Sequence, residues 1–432
     1  MNKKRISSLI GLIIICTSVF NGCAGKNSVF SGDAQANELY NEATPAFPET
    51  TVNNKYKGFS SEEETEQADP VFRKNNTLLR VFNKNGQFET EIFRNRPCIL
   101  VNNGFIYMQK TENKLSEQGC MNYYYYSLDT HESHFLDTVE DWSYQCSYDD
   151  ILVKDHLYSV ISTGNLYEGT LKCYLYDFDL SNYTSERFVL PGTVPYCSLA
   201  YLDGDVYIGV IGGEDYYVLK YNVQTRDMTK LDQRHYSEKN DSNDILRHVS
   251  SDGKYIYLLR IRTQKGEPSV AFLDKYEKAY DLIETTNITE YLHSPYADEW
   301  MLDDELRQLV SHFDIKNDYA FYENFSMSRS LINLTSNNAS SLISLGPDDH
   351  KALSVDPGNT DFCFYEANGD IIHCFNTETG NSIEVPVDSE NKNLRIWGVS
   401  TDSTGNAFVL LHNTNVNDED SIDEAHFINL FS

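Results

Sequence analysis

The sequence predicts an all-β protein, a β-propeller of seven blades, with six or eight left open. Three observations predict it. A short motif recurs along the chain at blade-like spacing. Tyrosine and phenylalanine are abundant, with 30 Tyr and 22 Phe, and tyrosine suits strands that are buried on one face and wet at the hydroxyl. An isolated hairpin near the start has no neighbouring strand of its own, whereas the last repeat is short of outer strands.

The repeat is an apolar residue or Cys, then Ser, then a turn rich in Asp, Gly or Asn, then a second β-rich run. Examples are "YCSLAYLDGDVYIG" from Tyr196, "HVSSDGKYIYLL" from His248 and "GVSTDSTGNAFVLL" from Gly398. The serines are Ser147, Ser198, Ser250, Ser311, Ser354 and Ser400, spaced by 43 to 61 residues. "CILVNNGFIYM", Cys98 to Met108, fits the same register without the serine and makes a seventh copy. Each copy is followed by two more alternating runs around a tight turn, as in "YVLKYNVQTRDMTKL". Four short strands per unit is the content of one propeller blade. No blade buries both faces alone, so the units must stack, and a closed ring leaves no end blade exposed. The repeated serines are expected to brace their own turns.

"LLRVFNKNGQFETEIF", Leu78 to Phe93, alternates on both arms around Asn85-Gly86 and reads as a hairpin. A lone hairpin is marginal in water. It is therefore expected to supply the outer strands of the last blade and clasp the ring shut. "HFINLF" near the C-terminus competes for that place. If it is a third strand, the hairpin gives only one strand, or the ring holds more than seven blades. One insertion, "HSPYADEWMLDDELRQLV" over 293–310, has a helix start at Ser294-Pro295 and one apolar face, and is expected to form a short helix.

The "S-x-D-G" turns resemble those of TolB-like and NHL-like bacterial propellers, with Ser250-Ser251-Asp252-Gly253 the nearest match. The resemblance covers about residues 77–432. It implies the fold and leaves the function open, since propellers host binders, scaffolds and enzymes alike.

The N-terminus carries a different signal. Lys3, Lys4 and Arg5 precede an apolar run, Ile6 to Phe20, that is short for a membrane span. It ends in "FNGC". This resembles a bacterial lipoprotein signal, with residues 1–22 removed and Cys23 lipidated. Phe20 stands where that family usually has Leu. The resemblance implies an extracytoplasmic protein, lipid-anchored (palmitate included) to a bacterial membrane or cell surface. Residues 23–76 contain the acidic run "SSEEETEQADP" and show no period, so a disordered tether is expected. The propeller then occupies 77–432.

The net charge is −30, and is more negative still once the basic start is removed. Such a field repels phosphate backbones, which argues against nucleic acid as a partner. Mean hydropathy is −0.48, which excludes a polytopic membrane protein. Of the nine cysteines, Cys16 would leave with the signal and Cys23 would carry lipid, leaving an odd number. Cys98, Cys146, Cys173, Cys197, Cys363 and Cys374 sit in apolar runs and are expected to be buried and inert, with no disulfide framework.

Motifs for chemistry are sparse. There is no zinc-binding helix motif, nucleophile elbow or phosphate loop. His131 and His134 in "HESH" lack a third ligand, and a solvated turn is expected there. "DFDLSN" from Asp177 begins like a calcium loop but lacks the central Gly and ends on Phe188. "NDEDSIDE", 417–424, is expected to be a loose acidic loop. No metal and no cofactor are expected.

The aromatic residues Trp142, Tyr144, Tyr196, Trp300 and Trp397 lie in or beside connections that lead into inner strands. They form the candidate ligand site, stacking on a glycan or gripping a peptide or partner protein, against the plainer role of packing between blades. The leading expectation is a monomeric, non-catalytic binding module. The alternative is a polysaccharide-acting enzyme, glycosidase or lyase, using Asp141, Asp303 and Asp304 at the channel mouth. A glycosidase would need two such carboxylates about 5 to 9.5 Å apart.

Overall fold

The computed structural model describes residues 49–51 and most of 76–429. Within the latter it leaves out 84, 96–97, 102–103, 112–118, 143–149, 165–168, 192–196, 213–214, 238–239, 266, 290–291, 293–309, 325–328, 336–340, 346–351, 356–361, 368–370, 387–393, 402–405 and 414–421. The signal-like segment, most of the tether and nearly all of the expected insertion helix lie outside the described residues. Val310, its last residue, opens a strand.

Thirty strands are described, and they group into seven blades. β1 (Glu49–Thr51), β2 (Thr77–Phe82) and β3 (Phe88–Arg94) come first. Blade 1 holds β4 (Ile99–Val101), β5 (Gly104–Thr111), β6 (Gly119–Ser127) and β7 (Glu132–Trp142). Blade 2 holds β8 (Asp150–Val153), β9 (His156–Thr163), β10 (Lys172–Asp179) and β11 (Thr184–Leu190). Blade 3 holds β12 (Cys197–Leu202), β13 (Asp205–Gly212), β14 (Asp215–Asn222) and β15 (Met228–His235). Blade 4 holds β16 (Ser242–Ser251), β17 (Ile256–Gln264), β18 (Glu267–Tyr276) and β19 (Leu282–Asn287). Blade 5 holds β20 (Val310–Lys316), β21 (Tyr319–Asn324), β22 (Arg329–Asn333) and β23 (Ser341–Leu345). Blade 6 holds β24 (Ala352–Val355), β25 (Phe362–Ala367), β26 (Ile371–Asn376) and β27 (Ser382–Pro386). Blade 7 begins with β28 (Leu394–Thr401), β29 (Asn406–Asn413) and β30 (Ile422–Asn429). Blades 1 to 6 are antiparallel meanders. A single backbone pair, Trp142 with Thr163, joins blades 1 and 2 into one continuous sheet.

The tight turns within blades follow from the sequence. In Asp203-Gly204 both residues have positive φ, 48° and 90°, which is the backbone a two-residue hairpin turn requires.

Apolar side chains between blades make the ring. Leu199, Ile208 and Val210 of blade 3 pack on Tyr158, Leu175 and Phe188 of blade 2. Val249 and Leu258 of blade 4 share a core with Ala200 and Tyr207 on one side and Phe313 and Ile315 on the other. Phe321 and Leu331 of blade 5 meet Phe375 of blade 6, and Ile372 and Cys374 of blade 6 meet Leu394 and Ile396 of blade 7. Blades 1 and 2 join through Ile106, Tyr123, Leu157 and Phe178.

Closure is by the two ends of the chain, as expected, but in a different arrangement. The blade has five strands in the order β28-β29-β30-β2-β3. "HFINLF" does contribute a third strand, and the hairpin still contributes both of its own. The cost is an irregular join: β2 runs parallel to β30, with Leu78 opposite Ile422 and Val81 opposite Ala425. Arg94 and Asp423 form a buried ion pair at 2.5 Å across this join, and Phe82 stacks on His426 at 4.7 Å. Leu79, Val81, Leu410 and Phe427 then pack on Phe105, Tyr107 and Tyr126 of blade 1. The Asn76 side chain pairs with both backbone groups of Lys110 in blade 1, at 2.7 and 2.8 Å.

The hairpin turn also differs from the expected tight form. Among its described residues only Gly86 is left-handed, with φ 69°. The Asn83 side chain accepts from the backbone N–H of Asn85 and of Gln87, at 3.0 and 3.1 Å, so a longer loop is braced from within. Inside the stretch expected to be a tether, β1 adds to the outer edge of blade 2, with Thr50 opposite Glu186 of β11.

Two of the repeated serines do something other than brace their turns. The Ser198 hydroxyl accepts the Val249 N–H at 2.8 Å, and the Ser250 hydroxyl accepts the Ile315 N–H at 2.9 Å. Each bond reaches the innermost strand of the next blade. The serine therefore satisfies a buried donor that blade-to-blade packing would otherwise strand.

Candidate functional site

The aromatic residues singled out in the sequence fall on different elements. Trp142 ends β7, the outermost strand of blade 1, while Trp397 lies within β28, the innermost strand of blade 7. Tyr144, Tyr196 and Trp300 lie outside the described residues. Asp141 precedes Trp142 in β7, and Asp303 and Asp304 are outside the described residues.

Of the two histidines expected in a solvated turn, His131 lies in the turn and His134 in β7, partly buried. The Asp179 carboxylate accepts the backbone N–H groups of Ser181 and Asn182, at 2.9 and 3.0 Å, and both of their side chains. Burial pushes its pKa up, but these hydrogen bonds win and hold it below the usual carboxylate range. His131 pairs with Glu89, and His134 stacks on Tyr183 at 3.9 Å, so the two do not converge. Among the described residues no group of three or more His, Cys, Asp or Glu is placed to hold a metal. Of the acidic stretch 417–424, the last three residues belong to β30, and Asp423 is buried against Arg94 rather than lying in a loop. Cys98, Cys173 and Cys374 are buried, while Cys197 and Cys120 are half-buried. Cys197, the first residue of its strand, differs from expectation in being only half-buried against the core.

A groove that was not anticipated from the sequence lies where blade 4 meets the outer strand of blade 3. It is open, about 410 Å³, and three arginines line it: Arg234, Arg260 and Arg262. Strand alternation puts two of them there. Along β17, Ile256 and Leu258 are buried, and Arg260 and Arg262 continue the same face toward the strand end. Arg234 comes from β15, the outer strand of blade 3.

The groove is preorganised by its own ion pairs. Arg260 makes a bidentate contact with Asp274, at 2.7 and 3.0 Å, and reaches Asp244 at 2.9 Å. Asp274 is only 2% exposed and accepts a further bond from the Thr285 hydroxyl at 2.8 Å. Arg262 shares Asp244, with Nε at 2.9 Å. Both guanidinium groups lie over the Phe272 ring, 4.7 and 5.1 Å from its centre. Arg234 is held by Asp232 at 3.0 Å. Burial raises the Asp244 pKa, but hydrogen bonds from Arg262 and the charge of Arg260 outweigh it and keep the group ionised, below the usual carboxylate range. Bidentate Asp274 and the Asp244 charge likewise push Arg260 upward.

This geometry offers cationic hydrogen-bond donors to a ligand. A carboxyl acting as a general acid holds its proton near neutral pH, and Asp244 is tuned the other way; His235 also lines the groove. The only sequence sign was "LLRIRTQ", with arginines at alternate strand positions; its partners Asp244 and Asp274 are known only once strand register is known.

No protein-family model matches the chain, and no curated protein sequence matches it. Some solved structures are distantly similar to it. The chain is similar to the β-propeller domain of the Trilobed protease from Pyrococcus furiosus, described as having an open velcro topology. Identity is 9%, the TM-score is 0.44, and 76% of this chain and 91% of that one are covered. It is also similar to PorZ of Porphyromonas gingivalis, a surface component of a type-IX secretion system, at 13% identity and TM-score 0.40, over 81% of this chain and 39% of that one. Raptor from Chaetomium thermophilum is matched at 10% identity and TM-score 0.38 over 78% of this chain, which spans only 28% of the Raptor chain. Identities this low concern the fold alone.

Proposed function

We propose that this chain is an exported β-propeller, held at a bacterial membrane by lipid on Cys23, that binds a partner and performs no chemistry on it. The observation that carries the binding reading is the groove at the blade 3–blade 4 boundary. Its arginines are fixed in place by Asp244 and Asp274, and its carboxylates are already engaged as acceptors. Such an arrangement is suited to recognition. The anchoring part is supported by the basic start, apolar run and cysteine of residues 1–23. One lipid chain alone binds a membrane weakly, so stable anchoring calls for more than one acyl chain.

Two measurements test this. Metabolic labelling with a fatty acid in a bacterial host should mark the wild-type chain and leave Cys23→Ser unmarked. Probing glycan and peptide arrays with the full-length chain in detergent should reveal a ligand that is recovered unchanged after prolonged incubation. Cleavage of the captured ligand would overturn the non-catalytic reading. Labelling of Cys23→Ser equal to wild type would overturn the anchor.

A further inference from the structure

We propose that the arginine groove and the adjoining outer edge of blade 4 form one docking surface for an extended peptide that carries acidic side chains. This rests on the binding reading above and names the class of partner.

The edge comes first. Among the described residues β19 is the outermost strand of blade 4 and pairs only with β18. Its outward backbone groups face no further described strand, and such an edge is a template for another chain. Two other blade edges carry features that discourage pairing. The blade 3 edge strand carries Lys230, Asp232 and Arg234, and the blade 6 edge strand ends on Pro386. The edge of blade 4 instead shows two consecutive large aliphatic residues, Leu282 at 56% exposure and Ile283 at 47%.

The molecule also shows that its blade edges accept short strands. β1 adds antiparallel to β11 on blade 2, and β2 adds to β30 on blade 7. Blade 4 has no such addition among the described residues. Backbone pairing along an edge gives affinity without sequence, and alternate side chains give specificity.

The groove supplies that specificity. Leu282 and Thr285 of β19 line it as well as forming the edge. A strand laid beside β19 would turn every second side chain toward the groove, about 7 Å apart. There it would meet three arginines whose aspartate partners, Asp232, Asp244 and Asp274, leave guanidinium donors over, in a chain whose net charge is −30. Arg262 is the most open of the three, with its side chain 44% exposed. Each guanidinium has five donors, and the bonds to aspartate use only some of them. The match is therefore to Asp or Glu at alternate positions. An acidic saccharide could use the arginines but has no backbone to pair with β19.

Selection of a random decapeptide display library on the full-length chain tests this. Selected peptides should carry Asp or Glu at alternate positions. On the wild-type chain, N-methylation of a selected peptide at alternate residues should weaken binding at least tenfold in one register and little in the other. That measurement needs no protein variant. Arg234→Gln combined with Arg262→Gln should weaken binding of the unmodified peptide at least tenfold. Failure to enrich, enrichment of peptides without acidic residues, indifference to N-methylation in both registers, or displacement of the peptide by oligogalacturonate at equal affinity would each overturn the proposal. A ligand found on the arrays that ignores the arginine changes would leave the binding reading standing and remove this one.

Discussion

The hydroxyl of Ser198, in the innermost strand of blade 3, accepts the backbone N–H of Val249 in the innermost strand of blade 4, at 2.8 Å. Ser198 is 3% exposed and Val249 fully buried, so no water competes for that donor. Ser198→Ala should leave it stranded and cost about 1–3 kcal/mol of unfolding free energy. Ser250→Ala should behave alike at the next junction, where Ile315 is the donor. Val249 and Ser250 are neighbours in β16, so the two bonds couple and the double variant should depart from the sum. Urea unfolding at one pH checks all three.

Gly209 faces the same junction. A Cβ there would sit 2.7 Å from the Ser198 hydroxyl oxygen and 2.8 Å from a Val249 methyl. Gly209→Ala should therefore spread blades 3 and 4 and destabilise by about 1–3 kcal/mol, the usual range for overpacking. Combining Gly209→Ala with Ser198→Ala should cost less than the two separately, because one of the clashing atoms is gone. Urea unfolding of the three variants measures that coupling.

The repeated serines also show how far the sequence could be read. Their spacing betrayed the blades, because strand, turn and strand follow local rules of alternation and turn chemistry. Their partners were hidden, since Val249 is far from Ser198 in the chain and meets it only when blades stack. The clasp was legible for the same kind of reason and to the same depth. A hairpin without a sheet at one end and a blade short of strands at the other implied each other. That β2 would run parallel to β30 was not legible, because nothing local to either strand fixes the sense of their pairing. The arginine groove depends on register across four strands of blade 4 and one of blade 3, which no single segment encodes.

The clasp should be the ring's most sensitive point. Arg94 and Asp423, 5% and 1% exposed, pair across the join between N-terminal and C-terminal strands. Removing one partner buries an uncompensated charge, so Asp423→Leu or Arg94→Met alone should cost about 3–5 kcal/mol. Replacing both by the apolar pair should recover most of that loss. Thermal unfolding of the two singles and the double distinguishes a charge penalty from simple loss of packing, in which the double would be worst.

Reactivity of the thiols should divide by burial. Burial pushes the pKa of Cys98 up to about 12, with Arg94 opposing, and that of Cys374 up to about 12. The thiolate is the reactive form, so at pH 8 both should resist alkylation in the folded protein. Cys120 and Cys197 are half-buried and should react first. Mass spectrometry of peptides after a brief iodoacetamide pulse, with and without urea, reads the order. Fast modification of Cys98 in the folded chain would mean that the join between blades 7 and 1 opens.

Stability should also depend on pH through His156. Its Nδ1 donates to the Asp177 carboxylate at 2.7 Å. That hydrogen bond raises its pKa above the ordinary 6.5, against the opposing effect of burial. A histidine whose pKa is raised on folding binds its proton more tightly in the native state. Its contribution is then complete below the unfolded value near 6.5 and disappears as pH climbs through the raised native value. His156→Gln should therefore lower the urea midpoint more at pH 5.5 than at pH 9, with the difference shrinking across the interval just above 6.5. The side chain is about one-third exposed, so solvent tempers the effect and salt should weaken it. A deficit in His156→Gln that is the same at both pH values would show that the ring contributes packing against Tyr158 and nothing through its charge.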